Sequence, residues 1–195
     1  KRTYMDGAGG SVNVTAGSLS GSGTFRANGA IPQYDGAWAQ PGGGRVAVTL
    51  TGTAADFSQW TGAITAYGGH GTNATHSICG GAGTVYLRKG GEAQDQGTLI
   101  IDNGVGKIFS KWNVTPVGGN VEGTAFGNVL IRNYAKLKLE DNSTLTVSGV
   151  FSNGCQFVSS ASGTVQIAGA GDAAIYGNNT FSTLVIAGSG KKVSF

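Results

Sequence analysis

The sequence predicts an all-β fold: a right-handed parallel β-helix (a solenoid), either whole or as a section of a longer one. Three observations carry this. No run of ten residues places apolar side chains at the i, i+3, i+4 and i+7 spacing of an amphipathic helix. Glycine supplies 36 of 195 residues, against a usual share of roughly 7%, and it flanks short apolar-polar alternations. Two separate segments also recur at one offset of 39 residues.

The expected strands, in order, are GTFRANG (23–29), GRVAVTLTG (44–52), GAITAYGG (62–69), GTVYLRKG (83–90) and GTLIIDNG (97–104), followed by NVLIRN (128–133), AKLKLED (135–141), STLTVSG (143–149), GTVQIAG (163–169) and STLVIAG (182–188). Each holds three to six residues rich in Val, Ile, Leu, Thr and Phe between turn residues, the composition of a half-buried strand. The end of the chain, Lys192–Phe195, also reads as strand. The offset of 39 joins Phe25 to Ile64 and Val46 to Val85, so residues of about 24–50 and 63–89 form a repeat. Units of that size cannot bury a core alone and must stack on a neighbour. From about 128 to 195 the rungs tighten, with polar turns such as Glu140-Asp141-Asn142 and Asn153-Gly154. The expectation is one β-helix domain over 1–195. An antiparallel β-sandwich is the alternative; it usually shows Asn-Gly or Asp-Gly hairpin turns and strands of five to eight residues, and the glycine excess, the repeat and the short strands here favour the coil.

Composition excludes several classes of function. Three prolines and no Gly-X-Y period rule out collagen, and 12% charged residues with recurring apolar clusters rule out a disordered chain. Thirteen Lys and Arg against ten Asp and Glu are scattered, without the basic stripe of a nucleic-acid binder. No 18-residue apolar segment offers a membrane-spanning helix. The first residues, KRTYMDGAGG, have no leader-like apolar stretch and read as the start of a mature or excised fragment. Cys79 and Cys155 leave both a disulfide and two thiols open.

GGGRVAV, GGAGTVYL and the tail SGTVQIAGAGDAAIYGNNTFSTLVIAGSGKKVSF resemble the strand-turn texture of large bacterial surface β-helix proteins, namely autotransporter passengers and filamentous-haemagglutinin-like adhesins. The resemblance covers most of the chain. It implies a secreted or cell-surface location and a structural or adhesive task, as a fibre subunit or as a section of a large surface protein. The implied partners are neighbouring β-helix segments or copies of itself, end to end, and surface glycans. The alternative is a carbohydrate-active β-helix that binds or cleaves polysaccharide.

Candidate chemistry is thin. Gly69-His70-Gly71 resembles one motif of polygalacturonase-like hydrolases, but the Asn-Thr-Asp, Asp-Asp and Arg-Ile-Lys motifs that accompany it there do not occur. No catalytic residue is therefore assigned and no cofactor is implied. His70, His76 and Cys79 form an H-x5-H-x2-C cluster of weak metal-ligand candidates without an evident fourth donor. Tyr34, Trp38, Trp60 and Tyr67 lie in or beside two glycine-rich excursions, 30–43 and 69–82, which the offset of 39 superposes. Exposed rings there would stack on sugars; buried, they would seal the flank of the coil.

Overall fold

The computed structural model describes residues 7–31, 40–71, 79–105, 112–119 and 124–195. Among them are seventeen strands and no helix. One sheet holds eight: in spatial order β1 (Ser11–Ala16), β3 (Arg45–Leu50), β5 (Thr84–Arg88), β6 (Thr98–Asp102), β9 (Asn128–Arg132), β12 (Val150–Asn153), β15 (Ala173–Gly177) and β17 (Val193–Ser194). The strands β2 (Thr24–Arg26) and β4 (Ala63–Thr65) pair with each other. A three-stranded sheet takes β7 (Thr115–Val117), β10 (Lys136–Leu139) and β13 (Gln156–Ser159). A four-stranded sheet takes β8 (Ala125–Phe126), β11 (Thr144–Val147), β14 (Thr164–Ile167) and β16 (Thr183–Ile186). Among the described residues no sheet closes on itself. Each of the ten strand segments expected from the sequence contains one of these strands; β1, β7, β8, β12, β13 and β15 are additional.

Pairing is parallel throughout, with one exception. Phe25 stands beside Ile64 and Val46 beside Val85, a register of 39 residues, while Val12 stands beside Val46. From β9 to β15 the chain visits the three larger sheets in rotation, β16 and β17 then add to two of them, and the returns come sooner: Val129 lies beside Phe151, Leu137 beside Phe157, Leu145 beside Val165, and Val165 beside Leu184. The exception is β5 against β6, which run antiparallel with Val85 opposite Ile100 and Leu87 opposite Thr98. The connection between them, 89–97, is too short to carry the chain back to the starting end of β5, since a parallel return needs about a dozen residues or more. Its turn is pinned locally. Glu92 accepts the Lys89 N–H on its carboxylate at 2.8 Å, and its own carbonyl accepts Arg88 Nη1 at 3.1 Å.

The reversal sets where the core lies. Residues directly opposite in an antiparallel pair share a face. Val85, Leu87 and Ile100 therefore point one way, and they join Val46, Val48, Leu50, Ala27 and Ala66 in one apolar cluster. Tyr86, Leu99 and Ile101 point the other way and belong with Val129, Ile131, Leu137, Leu145, Phe151, Val165 and Ile167. Two cores thus occupy opposite faces of one sheet, meeting at β5 and β6. Most residues at their centres have no exposed surface, among them Val48, Ile101, Leu137, Leu145 and Phe151, and each such side chain contributes about 1.5–3 kcal/mol by leaving water. Phe151, Phe157 and Phe181 add an aromatic triad with centroids 5.1–5.8 Å apart in edge or tilted contact.

In the first half of the chain glycine is needed where one pass crosses the one before it. A Cβ on Gly44 would fall on the carbonyl of Gly10, and one on Gly83 on that of Gly44. At the other end of the same strands, a Cβ on Gly90 would strike the Gly52 carbonyl. The backbones approach too closely there for any side chain.

Candidate functional site

Of the four aromatic residues singled out from the sequence, Tyr34 and Trp38 lie outside the described residues. Trp60 and Tyr67 stand at opposite ends of β4, so the fold does not bring them together. Trp60 stacks on Phe25 with centroids 5.2 Å apart and planes 18° apart, and it also covers Gly23 and Gly62, where a Cβ would collide with its ring. Its indole N–H is buried with no acceptor among the described residues. Trp60 is therefore a packing residue over the β2–β4 pair.

Tyr67 is half-buried against Gly104, whose positive φ (82°) and missing side chain leave room for the ring. Burial first, and the Asp102 carboxylate second, push its phenol above the ordinary value of 10.0, with Arg132 pulling the other way.

His70 and Cys79 sit at the two feet of the second excursion, whose neck is closed by a Gly80 N–H to Gly69 carbonyl bond of 2.8 Å. His70 Nδ1 donates to the Gly71 carbonyl at 2.9 Å, and its ring meets Trp112 edge-on at 6.3 Å. Cys79 is fully buried and bridges to Trp112 as a parallel strand neighbour. His76 lies outside the described residues, and those described contain no group of three or more His, Cys, Asp or Glu side chains placed for a metal. No disulfide joins Cys79 to Cys155: the first is buried in the excursion neck, the second exposed at a turn between β12 and β13.

The feature that sequence reasoning missed is the corner where the eight-stranded sheet turns into the three-stranded one. Asp102, at the end of β6, organises it. Its Oδ1 accepts the Gly104 N–H at 2.7 Å and Asn133 Nδ2 at 2.8 Å, while Oδ2 accepts Arg132 Nε at 2.8 Å. One pass on, Asn153 Oδ1 accepts the Cys155 N–H, and its Nδ2 donates to Asn178 and Asn179. Between these anchors the backbone turns sharply, with Asn133 at φ 52° and Tyr134 at φ 61°. Asparagine tolerates that left-handed region; a bulky tyrosine rarely adopts it. The turn is held by an Ala135 N–H to Arg132 carbonyl bond of 3.2 Å and by the Tyr134 N–H donating to Cys155 Sγ at 3.0 Å.

The result is a half-exposed tyrosine ring (48%) on an anchored turn. It borders an open groove of about 500 Å³ lined also by Trp112, Lys136, Gly154, Cys155 and Gln156. No signal in the local sequence marks it, because Arg-Asn-Tyr-Ala reads as an ordinary polar turn. Comparison with protein-family models, with curated proteins and with solved structures finds no match to this chain.

Proposed function

We propose that the chain is a section of a right-handed parallel β-helix that works outside the cell, secreted or at its surface, as a rigid structural or adhesive module. The observation that carries this is the register of successive passes. Strands one pass apart pair in parallel, and like residues stack on like: Val46 beside Val85, Leu145 beside Val165, Thr144 beside Thr164. Each return between parallel strands of one sheet is a crossover, and nearly all such crossovers are right-handed. The antiparallel β5–β6 pair fits this rule. Reversing strand direction alone would invert the hand of the coil, whereas reversing direction and core face together preserves it.

Parallel neighbours are the partners that suit such a module. On β16, Leu184 and Ile186 continue the inward columns of Val165 and Ile167, yet Ile186 is exposed where Ile167 is not. At the other edge Val12 and Val14 are only half-buried while Val46 and Val48 are buried. Both edges present the apolar side and open backbone that a further pass covers, whether of the same polypeptide or of a second copy.

Electron microscopy of the purified chain tests this. With eight strands stacked at about 4.8 Å, end-to-end assembly should give rods that lengthen in steps of roughly 35–40 Å. Monodisperse particles without end-to-end contact would sink the assembling version, and particles with a substantial helical circular-dichroism signal would sink the fold on which it stands.

A further inference from the structure

We propose that the groove beside Tyr134 is a binding site for a single carboxylated sugar ring, of the uronic-acid class. Its existence follows from the geometry of the turn, and only the choice of a saccharide rests on the adhesive reading above. A tyrosine in the left-handed region is held there by the Asn133 amide donating to Asp102 and its own N–H donating to Cys155 Sγ rather than by its own preference. Strain of that kind, over-determined by surrounding contacts, is where a function is to be sought. The conformation keeps Tyr134 at the surface, 48% exposed, beside a groove to which Gly154 contributes no side chain. Trp112, almost fully buried, lines the same groove. The volume of about 500 Å³ falls within the roughly 300–1,000 Å³ of small-molecule sites.

The chemistry of the lining selects the ligand. An exposed phenol ring offers a flat apolar face on which the C–H face of a pyranose can stack at little entropic cost. Gln156 and Asn133 supply amide donors and acceptors for hydroxyl groups. Among the described residues Lys136 forms no ion pair and no Asp or Glu lines the groove, so the one charge they contribute to it is positive. A neutral sugar would leave that ammonium without a counter-charge; a uronate supplies it, with bonds strengthened because both partners are ionised.

Two probes that differ only at C6, methyl β-D-glucuronide and methyl β-D-glucoside, test the proposal by NMR shift perturbation on the labelled chain. The glucuronide should shift the amides of Tyr134, Lys136 and Gln156 saturably, and more tightly than the glucoside. Tyr134→Asn removes the ring while placing at φ 61° a residue that accepts it; binding should weaken about tenfold with no fall in melting temperature. Tyr134→Phe, which keeps the ring, should bind as the wild type does. Lys136→Gln should abolish the preference for the glucuronide and leave the glucoside unaffected. No saturable shift with either sugar, shifts that map elsewhere, or unchanged binding by Tyr134→Asn would each overturn the site. Such a failure in a chain that still forms end-to-end rods leaves the scaffold reading standing; sugar binding by a chain that forms none leaves the site standing alone.

Discussion

Tyr134 sits at a φ of 61°, which costs a non-glycine residue about 1–2 kcal/mol, and the network around Asp102 offsets it. Removing the centre of that network should be felt widely. Asp102→Ala strips acceptors from Gly104, Asn133 and Arg132 at once, the first of these bonds buried and the others half-buried; a loss of about 2–4 kcal/mol is expected in denaturant unfolding. Arg132→Ala should cost under about 1 kcal/mol, because its side chain is 54% exposed and its pairing is screened. Equal losses for the two variants would show that the carboxylate is not the anchor. The phenols give a second test. Burial is the first cause raising both Tyr67 and Tyr86 above the ordinary 10.0, so these groups ionise in the unfolded chain before they do in the folded one. Their contribution is complete below the unfolded value and is lost as pH rises through the folded one. Thermal melts should therefore show a stability loss setting in above about pH 10, smaller in Tyr67→Phe; an identical alkaline profile for that variant would contradict the assignment. Little of this was legible in the sequence. In the sequence Trp60 reads as one of four aromatics in or beside the glycine-rich excursions, and Gly23 and Gly62 are what let it lie flat on β2 and β4. Tyr134 carries no such mark, because its conformation runs against its own preference and is imposed by Asp102 and Cys155, residues far away in the chain.

The strands themselves were legible, and so was their stacking in the first half, for one physical reason. Where β3 crosses β1 and β5 crosses β3, glycine is obligatory on the later strand, so Gly44-Arg45-Val46 and Gly83-Thr84-Val85 had to resemble each other. The requirement is directional, and this makes it testable. Gly10, Gly44 and Gly83 precede the paired residues Ser11, Arg45 and Thr84, but a Cβ on Gly10 meets nothing within 4 Å, whereas on Gly44 and Gly83 it strikes the carbonyl of the preceding pass. Gly10→Ala should be neutral to within about 0.5 kcal/mol. Gly44→Ala and Gly83→Ala should each cost about 3 kcal/mol or more, since backbone rather than a flexible side chain must move. The reversal at β5–β6 was not legible as such. Its trace is the run Leu99-Ile100-Ile101, apolar on both sides of the strand, as a strand covered on both faces requires. A local pattern can report that both faces are covered but not by which partners, and the short connection 89–97 decides the direction.

At the scale of the molecule, two cores share one sheet, and each strand pairs only with the strands beside it. Stability in such an array is a sum over neighbours, so opening should begin at the edges and reach the middle last. The central strands have the most to lose. Leu99 and Ile101 of β6 face the larger core while Ile100 faces the smaller, and β9 behind them buries Val129 and Ile131 completely. At the far edge, β16 leaves Val185 and Ile186 exposed, and β17 is two residues long. Native-state hydrogen exchange should therefore show a gradient: amides of β6 and β9 protected to near the global unfolding free energy, those of β1 and β16 exchanging through local opening. Ile101→Ala, at a residue with no exposed surface, should cost about 2–5 kcal/mol and lower protection in both halves of the sheet. Leu184→Ala should alter exchange only near β14 and β16. Uniform protection from edge to edge would mean that the cores unfold as one cooperative body. The face switch at β5–β6 would then couple the two halves rather than merely join them.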